Sequence, residues 1–505
     1  MEYWSISVLS IIINALIGYY LFKNFNFFKR HGIIHIPSIP ILGVMTPIIL
    51  RQMSFVDITR RIYNFNRYAK YIGLYATTEP VLMLRDPELI KAIIIKNSDK
   101  FINRPTFNNF NDYMITQSLF SLQNTEWRNI RNLLNFFFTS HKMKTTFNLM
   151  SKHAADFAET ISTLPADKSY VNIKDVFDRY TNDVIALCIY GMKIDSVRDP
   201  TNKFYVCGKD ITHMSAIRSI KYIFVRTFPK LGRIFNIKLL NNQEMKYFES
   251  RIKNEIAIRN AEHVTRPDMI QLMLNNRGKE GQIQLNIDDI FAQAYTFYFA
   301  GFETSSSVMS FITYKIVTNP SVQVKLRQEI DELLDKLNGS VTYEAINQLK
   351  YLDAVIKEAL RLFSPSVVER VCKEAYKLPP ALPGEKPFTI YKGMIIWIPI
   401  YAIHHDDKYY DNPMEFRPER FLDNDHDPPF YFPFGLGPRI CIGKRFGLLI
   451  VKVVLFHILA KCELELCVKS LPIKFSKKHL IMIPEDGYWL NIQRRNDKNP
   501  MKNVT

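Results

Sequence analysis

Several common signatures are missing from this chain. Its 505 residues hold only six cysteines, Cys188, Cys207, Cys372, Cys441, Cys462 and Cys467. No two stand in a CxxC spacing, which excludes a disulfide scaffold, a zinc ribbon and a dithiol redox motif. Thiols so dispersed fit a reducing compartment. No run of five Lys or Arg occurs despite a net charge of +17. With no nucleic-acid module signature either, that surplus points to anionic lipid, an acidic protein partner or a solvated surface, and no nucleic-acid partner is expected. GxGxxG and GxxxxGKS/T are both missing, so the chain has no nucleotide fingerprint of its own. There is no repeat, low-complexity tract or Ser/Gly linker to divide it. Length alone would allow about two to four domains, but one large catalytic unit is the expectation.

One absence of charge is itself a feature. Tyr3–Phe22 is a run of twenty residues without a charged side chain, bounded by Glu2 and Lys23. About 20 apolar residues cross the ~30 Å hydrocarbon layer as a helix. Lys23, Lys29 and Arg30 follow the run and no Lys or Arg precedes it, so the remainder should face the cytosol. A cleaved signal would have a basic start and a shorter apolar stretch. The expected organisation is a transmembrane signal-anchor (3–22), a basic hinge stiffened by Pro37, Pro40 and Pro47 (23–47), a catalytic domain (48–494) and a charged tail (495–505).

Within the catalytic segment the pattern is mainly helical with small β-sheets, an α+β class. Lys70–Arg85 is rich in β-branched and aromatic residues around Glu79-Pro80 and predicts a hairpin; Phe388–Ile400, with Lys392-Gly393 at its bend, predicts a second. The strongest helix is predicted from Ile287 to Asn319: Asn286 suits the N-cap, Asp288 and Asp289 suit the positive dipole end, and Pro320 stops it. A helix so long and apolar should cross the interior. The Gly301-Phe302-Glu303 step breaks the local rule there and marks function. Gly301 would let the helix open a groove.

The chemistry concentrates at Pro433-Phe-Gly-Leu-Gly-Pro-Arg-Ile-Cys-Ile-Gly443. Three glycines and two prolines make a tight loop whose N–H groups can turn to the Cys441 sulfur, dispersing thiolate charge and tuning a bound iron. A helix predicted from Lys444 would place its positive end near Cys441 and lower the thiol pKa. Arg439 can reach an anionic group on a cofactor. By chance alone the five fixed positions of Phe434-x-x-Gly437-x-Arg439-x-Cys441-x-Gly443 would occur on the order of once in ten thousand such chains.

This loop resembles the haem-binding signature of the cytochrome P-450 family. Four more segments match in the family's order, from roughly Gly32 to Arg494: Trp127-x-x-x-Arg131, Ala300–Thr304, Glu358-x-x-Arg361 and Pro418-Glu-Arg-Phe421. The resemblance implies a P-450 fold with a long central helix over haem b, and Cys441 as the thiolate ligand of its iron. Trp127, Arg131, Phe434 and Arg439 would bind the haem, with Arg104 (Phe101-Ile-Asn-Arg-Pro) and Arg370 (Val368-Glu-Arg-Val-Cys) as further propionate ligands. Glu358, Arg361 and Arg420 would form a structural triad. Ala300 would border the haem, and Glu303 with Thr304 would deliver protons to dioxygen. The chemistry implied is insertion of one oxygen atom from O2 into an organic substrate. Electrons would come from NADPH through a separate FAD/FMN reductase, with cytochrome b5 as a further donor, at the endoplasmic reticulum membrane.

Phe299, Ala300 and Val367 are the expected pocket residues, with Phe107, Phe110, Tyr113, Met114, Phe224, Phe228, Val368, Trp489 and Leu490 as wider candidates. Such a lining takes small apolar molecules. The anchor, His31-Gly32 and Ala300–Ser306 are most similar to insect microsomal monooxygenases acting on xenobiotics. The alternatives are a hydroxylase of an endogenous lipid or hormone, a haem-thiolate isomerase or dehydratase, and a non-enzymatic haem protein. The sparse proline hinge and His404-His405-Asp406-Asp407 depart from the family pattern, and neither is expected to touch the haem centre.

Overall fold

The structure, a computed structural model, describes the chain except residues 1–6, 8–9, 11–17, 20, 21, 23, 106–109, 166–168, 241, 277–284, 340, 423–426, 429, 471, 478, 480, 481 and 496–505. Most of the expected anchor, Phe107 and nearly all of the charged tail therefore lie outside the described residues. Among those described, no helix is long and apolar enough to cross a membrane.

Helix formation follows local chemistry closely at the centre. The central helix, Ile287–Val317, starts with a complete capping box: the Asn286 side chain accepts from Asp289 N, and Asp289 returns a bond to Asn286 N. At 31 residues it spans roughly 46 Å. Asn319 and Pro320 end the pattern, and Pro320 opens the next helix, Pro320–Lys336, at a position that lacks nothing by having no N–H. The helix Lys444–Lys461 is apolar on most sides and accordingly buried. These three join Ser140–Ser162, Ile173–Ile189 and Lys350–Leu362 in the main core.

Among the described residues, nine strands make three small sheets. Strands β1 (Tyr71–Ala76), β2 (Glu79–Leu84), β7 (Ile395–Ile398) and β4 (Val368–Val371) lie in the order β1-β2-β7-β4 over a second core. Strands β3 (Tyr170–Asn172), β9 (Trp489–Arg494) and β8 (Cys462–Glu465) form another sheet, and β5 (Tyr376–Leu378) pairs with β6 (Phe388–Ile390).

Three local expectations change. The first hairpin turns at Thr77-Thr78 and not at Glu79-Pro80, which already belong to β2. Pro80 is paired only with Tyr75, and β2 acquires its second neighbour from Val81 onward, so the missing N–H costs no ladder bond. Residues 388–400 are not a hairpin: β6 pairs with β5, while β7 joins β2 in parallel and β4 in antiparallel. The central helix also remains helical through Gly301. A Cβ there would lie 3.1 Å from Ile185 Cδ1, so the glycine serves the close approach of helix Ile173–Ile189.

Candidate active site

The loop before Lys444 is shaped by its glycines. Gly435 and Gly437 have φ of +80° and +69°, and a Cβ on Gly437 would meet Ile94 O at 2.3 Å. Within the loop, Gly435 N donates to Phe432 O, Ile440 N to Gly437 O and Cys441 N to Phe434 O, at 2.9 to 3.0 Å. Cys441 is thereby fixed just ahead of the helix Lys444–Lys461. Its surface is exposed although protein surrounds the thiol closely, so it faces an interior space. Burial pushes the thiol pKa up; the Gly443 N–H, Arg131, Arg104 and Lys444 oppose this. The expected lowering by the helix end and its cations is thus outweighed by desolvation in the protein alone.

Four arginines converge on the same space. Arg370 and Arg439 are buried, and Arg104 and Arg131 are partly so. Burial, reinforced by mutual repulsion, lowers the guanidinium pKa to about 10 for Arg104, about 9 for Arg370 and about 8 for Arg439. Burial also lowers Arg131. Arg439 donates to Ile102 O (2.9 Å), Leu119 O (3.3 Å) and Leu122 O (2.6 Å), and lies 4.0 Å from the Trp127 ring centre. Trp127 and Arg131 share the helix Asn124–Asn135. Among the described ion pairs none joins any of the four to a carboxylate.

Uncompensated buried cations are costly, and a dianion beside a thiolate would neutralise them. A haem, with two carboxylates on its edge and an iron for the sulfur, has that chemistry, and these residues fit it. No cluster of three or more His, Cys, Asp or Glu that could hold a bare metal ion occurs among the described residues.

Phe138 places the central helix against this loop. Its ring lies 5.6 Å from Phe297 and 6.5 Å from Phe446, so one side chain spans the turn before Ala300 and the turn after Cys441. Phe299, Ala300 and Thr304 are exposed on a helix whose Phe302, Ser305 and Ser306 are buried, and they form its open face. Val367 is half-buried before β4. Leu490, by contrast, is fully buried in the main core.

The two proton-handling candidates are both engaged. Thr304 Oγ1 donates to Ala300 O at 2.5 Å, the ordinary back-bond of a helical threonine. Glu303 Oε1 accepts from Ser307 Oγ at 3.0 Å and pairs with Lys174 Nζ at 3.2 Å, while Lys174 also holds Asp178 at 2.6 Å. Burial would lower Lys174, but Asp178 and Glu303 together raise it; burial with the Glu303 charge raises Asp178.

Behind the loop the triad is assembled and closed. Arg361 and Glu358 are fully buried and share two bonds of 2.8 and 2.9 Å; Arg420 Nε lies 3.4 Å from Glu358 Oε1. Arg361 also donates to His404 O, Pro413 O and Glu415 O. His404 is the residue that sequence reasoning missed. Its Nε2 accepts from Phe432 N at 3.1 Å, so it joins the triad to the residue that leads into the cysteine loop. A histidine at the end of the short helix Ile400–His404 carried no spacing signal for that role.

A glycine-shaped cysteine loop facing arginines that no described ion pair joins to a carboxylate, near a long central helix, defines a haem-thiolate protein. The cytochrome P450 family model matches residues 36–492. The chain is similar to cytochrome P450 9e2 of Blattella germanica, 37% identical with 98% of each chain covered. It is also similar to probable cytochrome P450 9f2 of Drosophila melanogaster, 34% identical over 98% of this chain and all of that one. Cytochrome P450 6j1 of Blattella germanica is 31% identical over 97% of this chain and 98% of that one. The chain belongs to the cytochrome P450 family, is of insect type, and is a haem monooxygenase by family.

Proposed function

We propose that the protein inserts one oxygen atom from O2 into small apolar xenobiotics, such as plant compounds or insecticides, using electrons from NADPH passed by a separate FAD/FMN reductase. The observation that carries this reading is Cys441 in its glycine loop before four arginines that no described ion pair joins to a carboxylate. When bound, haem b supplies dioxygen activation and oxygen-atom transfer, favoured by a thiolate ligand. Arg104, Arg131, Arg370 and Arg439 with Trp127 would hold its carboxylates, and the Gly443 N–H would steady the Cys441 sulfur.

Phe299, Ala300 and Val367 would exclude water and admit apolar groups. Thr304 Oγ1 would hold a water after turning from Ala300 O, and Glu303 would take a proton from the solvent side after leaving Lys174 Nζ. The membrane part of the reading has support outside the anchor. Ile217, Ile220, Ile234 and Phe235 are exposed by 63 to 73% beside Lys221, Lys230 and Arg233, a composition suited to an anionic lipid surface. On the thiolate side Lys444 is exposed for a reductase, but Arg128 is spent on Asp99 and Lys144 on Glu344.

The test is the reduced carbon monoxide difference spectrum, then NADPH-dependent turnover of a substrate panel with reductase. The parent is expected to show the thiolate-type red shift, and Cys441→His to lose it. A shift that survives in Cys441→His sinks the ligand assignment.

A further inference from the structure

The cysteine loop is tied down from two sides. On one, Arg439 is pinned to the carbonyls of Ile102, Leu119 and Leu122. On the other stands His404, the last residue of the helix Ile400–His404, with no exposure. Its Nε2 accepts from Phe432 N at 3.1 Å, so the proton of the neutral ring sits on Nδ1. Burial, His405 and the Arg361 charge hold the ring well below its ordinary pKa. Nε2 therefore remains an acceptor in mild acid, and the bond to Phe432 does not depend on pH there.

His404 stands in series between the triad and the loop. Arg361 Nη1 donates to its carbonyl at 2.7 Å, while Nε and Nη2 of the same guanidinium lie on Glu358 at 2.8 and 2.9 Å. Its ring is clamped by aromatic neighbours: Tyr431 stacks on it at 5.7 Å, with Phe432 at 5.4 Å and Tyr410 at 6.2 Å. Tyr431 is itself anchored, its OH donating to Lys357 O at 3.1 Å on the helix that carries Glu358. From Phe432 the bonds continue inward. Phe432 O accepts from Gly435 N at 2.9 Å, and Phe434 O accepts from Cys441 N at 3.0 Å. Gly435, with φ of +80°, turns the chain between them. The backbone of Cys441 is thus placed by a turn whose leading residue His404 holds. A buried N–H without an acceptor is costly, so loss of Nε2 would move that turn until Phe432 N found another partner.

We propose that His404 is a positioning residue for the iron ligand: through Phe432 N it fixes the turn that sets Cys441, and so makes the sulfur's hold on an iron depend on the buried Glu358–Arg361 pair. It acts through the backbone and not by contact with the reacting atoms. Groups that orient a metal ligand from behind change how firmly the metal is held even where they never touch it. A role in packing alone would need the ring and not the acceptor, and substitutions can separate the two.

The proposal rests on Cys441 as the iron ligand, so one arm of the experiment does not use the iron. Hydrogen exchange of peptides covering Phe432–Gly435 is followed in the haem-loaded full chain. Beside it are measured the rate at which the thiolate-type carbon monoxide band is lost in mild urea, and the urea midpoint by circular dichroism. His404→Phe keeps a ring between Tyr431 and Tyr410 without an acceptor. His404→Gln can bring a carbonyl oxygen close to the Nε2 position, whereas that of His404→Asn reaches only as far as Nδ1. His404→Phe and His404→Asn are expected to exchange faster over Phe432–Gly435 and to lose the band faster, on the order of tenfold. His404→Gln should stay near the parent in both. Parent-like exchange and band loss in both His404→Phe and His404→Asn overturn the proposal. So does band loss that merely follows the urea midpoint, with His404→Gln no better than His404→Asn, because packing alone predicts that. If the parent shows no thiolate-type band, the Cys441 reading fails while the exchange arm still decides whether His404 holds the turn. Where His404→Phe fails to fold, the comparison of His404→Gln with His404→Asn carries the test.

Discussion

Gly437 concentrates more constraint than any other residue of the cysteine loop, because its φ of +69° and the Ile94 carbonyl at 2.3 Å from a notional Cβ both forbid a side chain. Gly437→Ala should therefore displace the loop and lower the haem content of purified protein severalfold; normal haem occupancy would show that the loop tolerates the shift. Thr304 is a contrasting residue. It loses only a back-bond to Ala300 O when truncated, worth about 1 kcal/mol or less. Thr304→Ala should keep the reduced carbon monoxide spectrum and divert the electrons of NADPH to peroxide, and unchanged coupling of NADPH to product would refute its proton role. The cysteine loop with its Arg439 was readable in the sequence because spacing within one segment carries it, whereas Arg104, Arg131 and Arg370 lie in separate segments and were named only through the family resemblance. The Lys174 partner of Glu303 was not readable, since 129 residues separate the two in sequence and only the packing of two helices brings them to 3.2 Å.

The central helix was legible almost to the residue because its signals are local: an N-cap, an acidic first turn and a stopping proline. Strand β7 was misread because its partners, β2 and β4, are distant, and no pattern within 388–400 encodes them. The ExxR helix, Lys350–Leu362, shows the energetic side of such long-range assembly. Its Glu358–Arg361 pair has no exposure and also anchors the carbonyls of His404, Pro413 and Glu415. Glu358→Gln keeps the shape but leaves two guanidiniums without a carboxylate, which costs about 3–5 kcal/mol for a fully buried pair. The expected outcome is a lower urea midpoint and loss of haem, measured by circular dichroism and Soret absorbance. A midpoint equal to the parent's would mean that the carbonyls alone hold Arg361.

At the scale of the whole molecule, pH stability reflects buried groups of opposite sign. Burial lowers His405 to about 3, His457 to about 4 and His404 well below its ordinary range. Each stays neutral in the fold while the unfolded chain takes up a proton below about pH 6.5, so each removes stability as pH falls through that point toward the folded value. Asp183, raised by burial to about 6, does the reverse: the fold keeps its proton between the ordinary carboxylate range and that value, so acidification there adds stability. The total profile mixes these contributions, and a single substitution separates one. His457 lies on the helix Lys444–Lys461, with Nε2 3.0 Å from Ser151 Oγ on the helix Ser140–Ser162, and Lys461 assists burial in keeping it neutral. His457→Gln preserves a polar partner for Ser151 and cannot titrate. Between pH 7.5 and 5 the parent should lose about 2 kcal/mol more stability than the variant, one proton over roughly one and a half pH units. Urea unfolding at the two pH values measures the difference, and parallel losses in parent and variant would place the His457 pKa near its unfolded value.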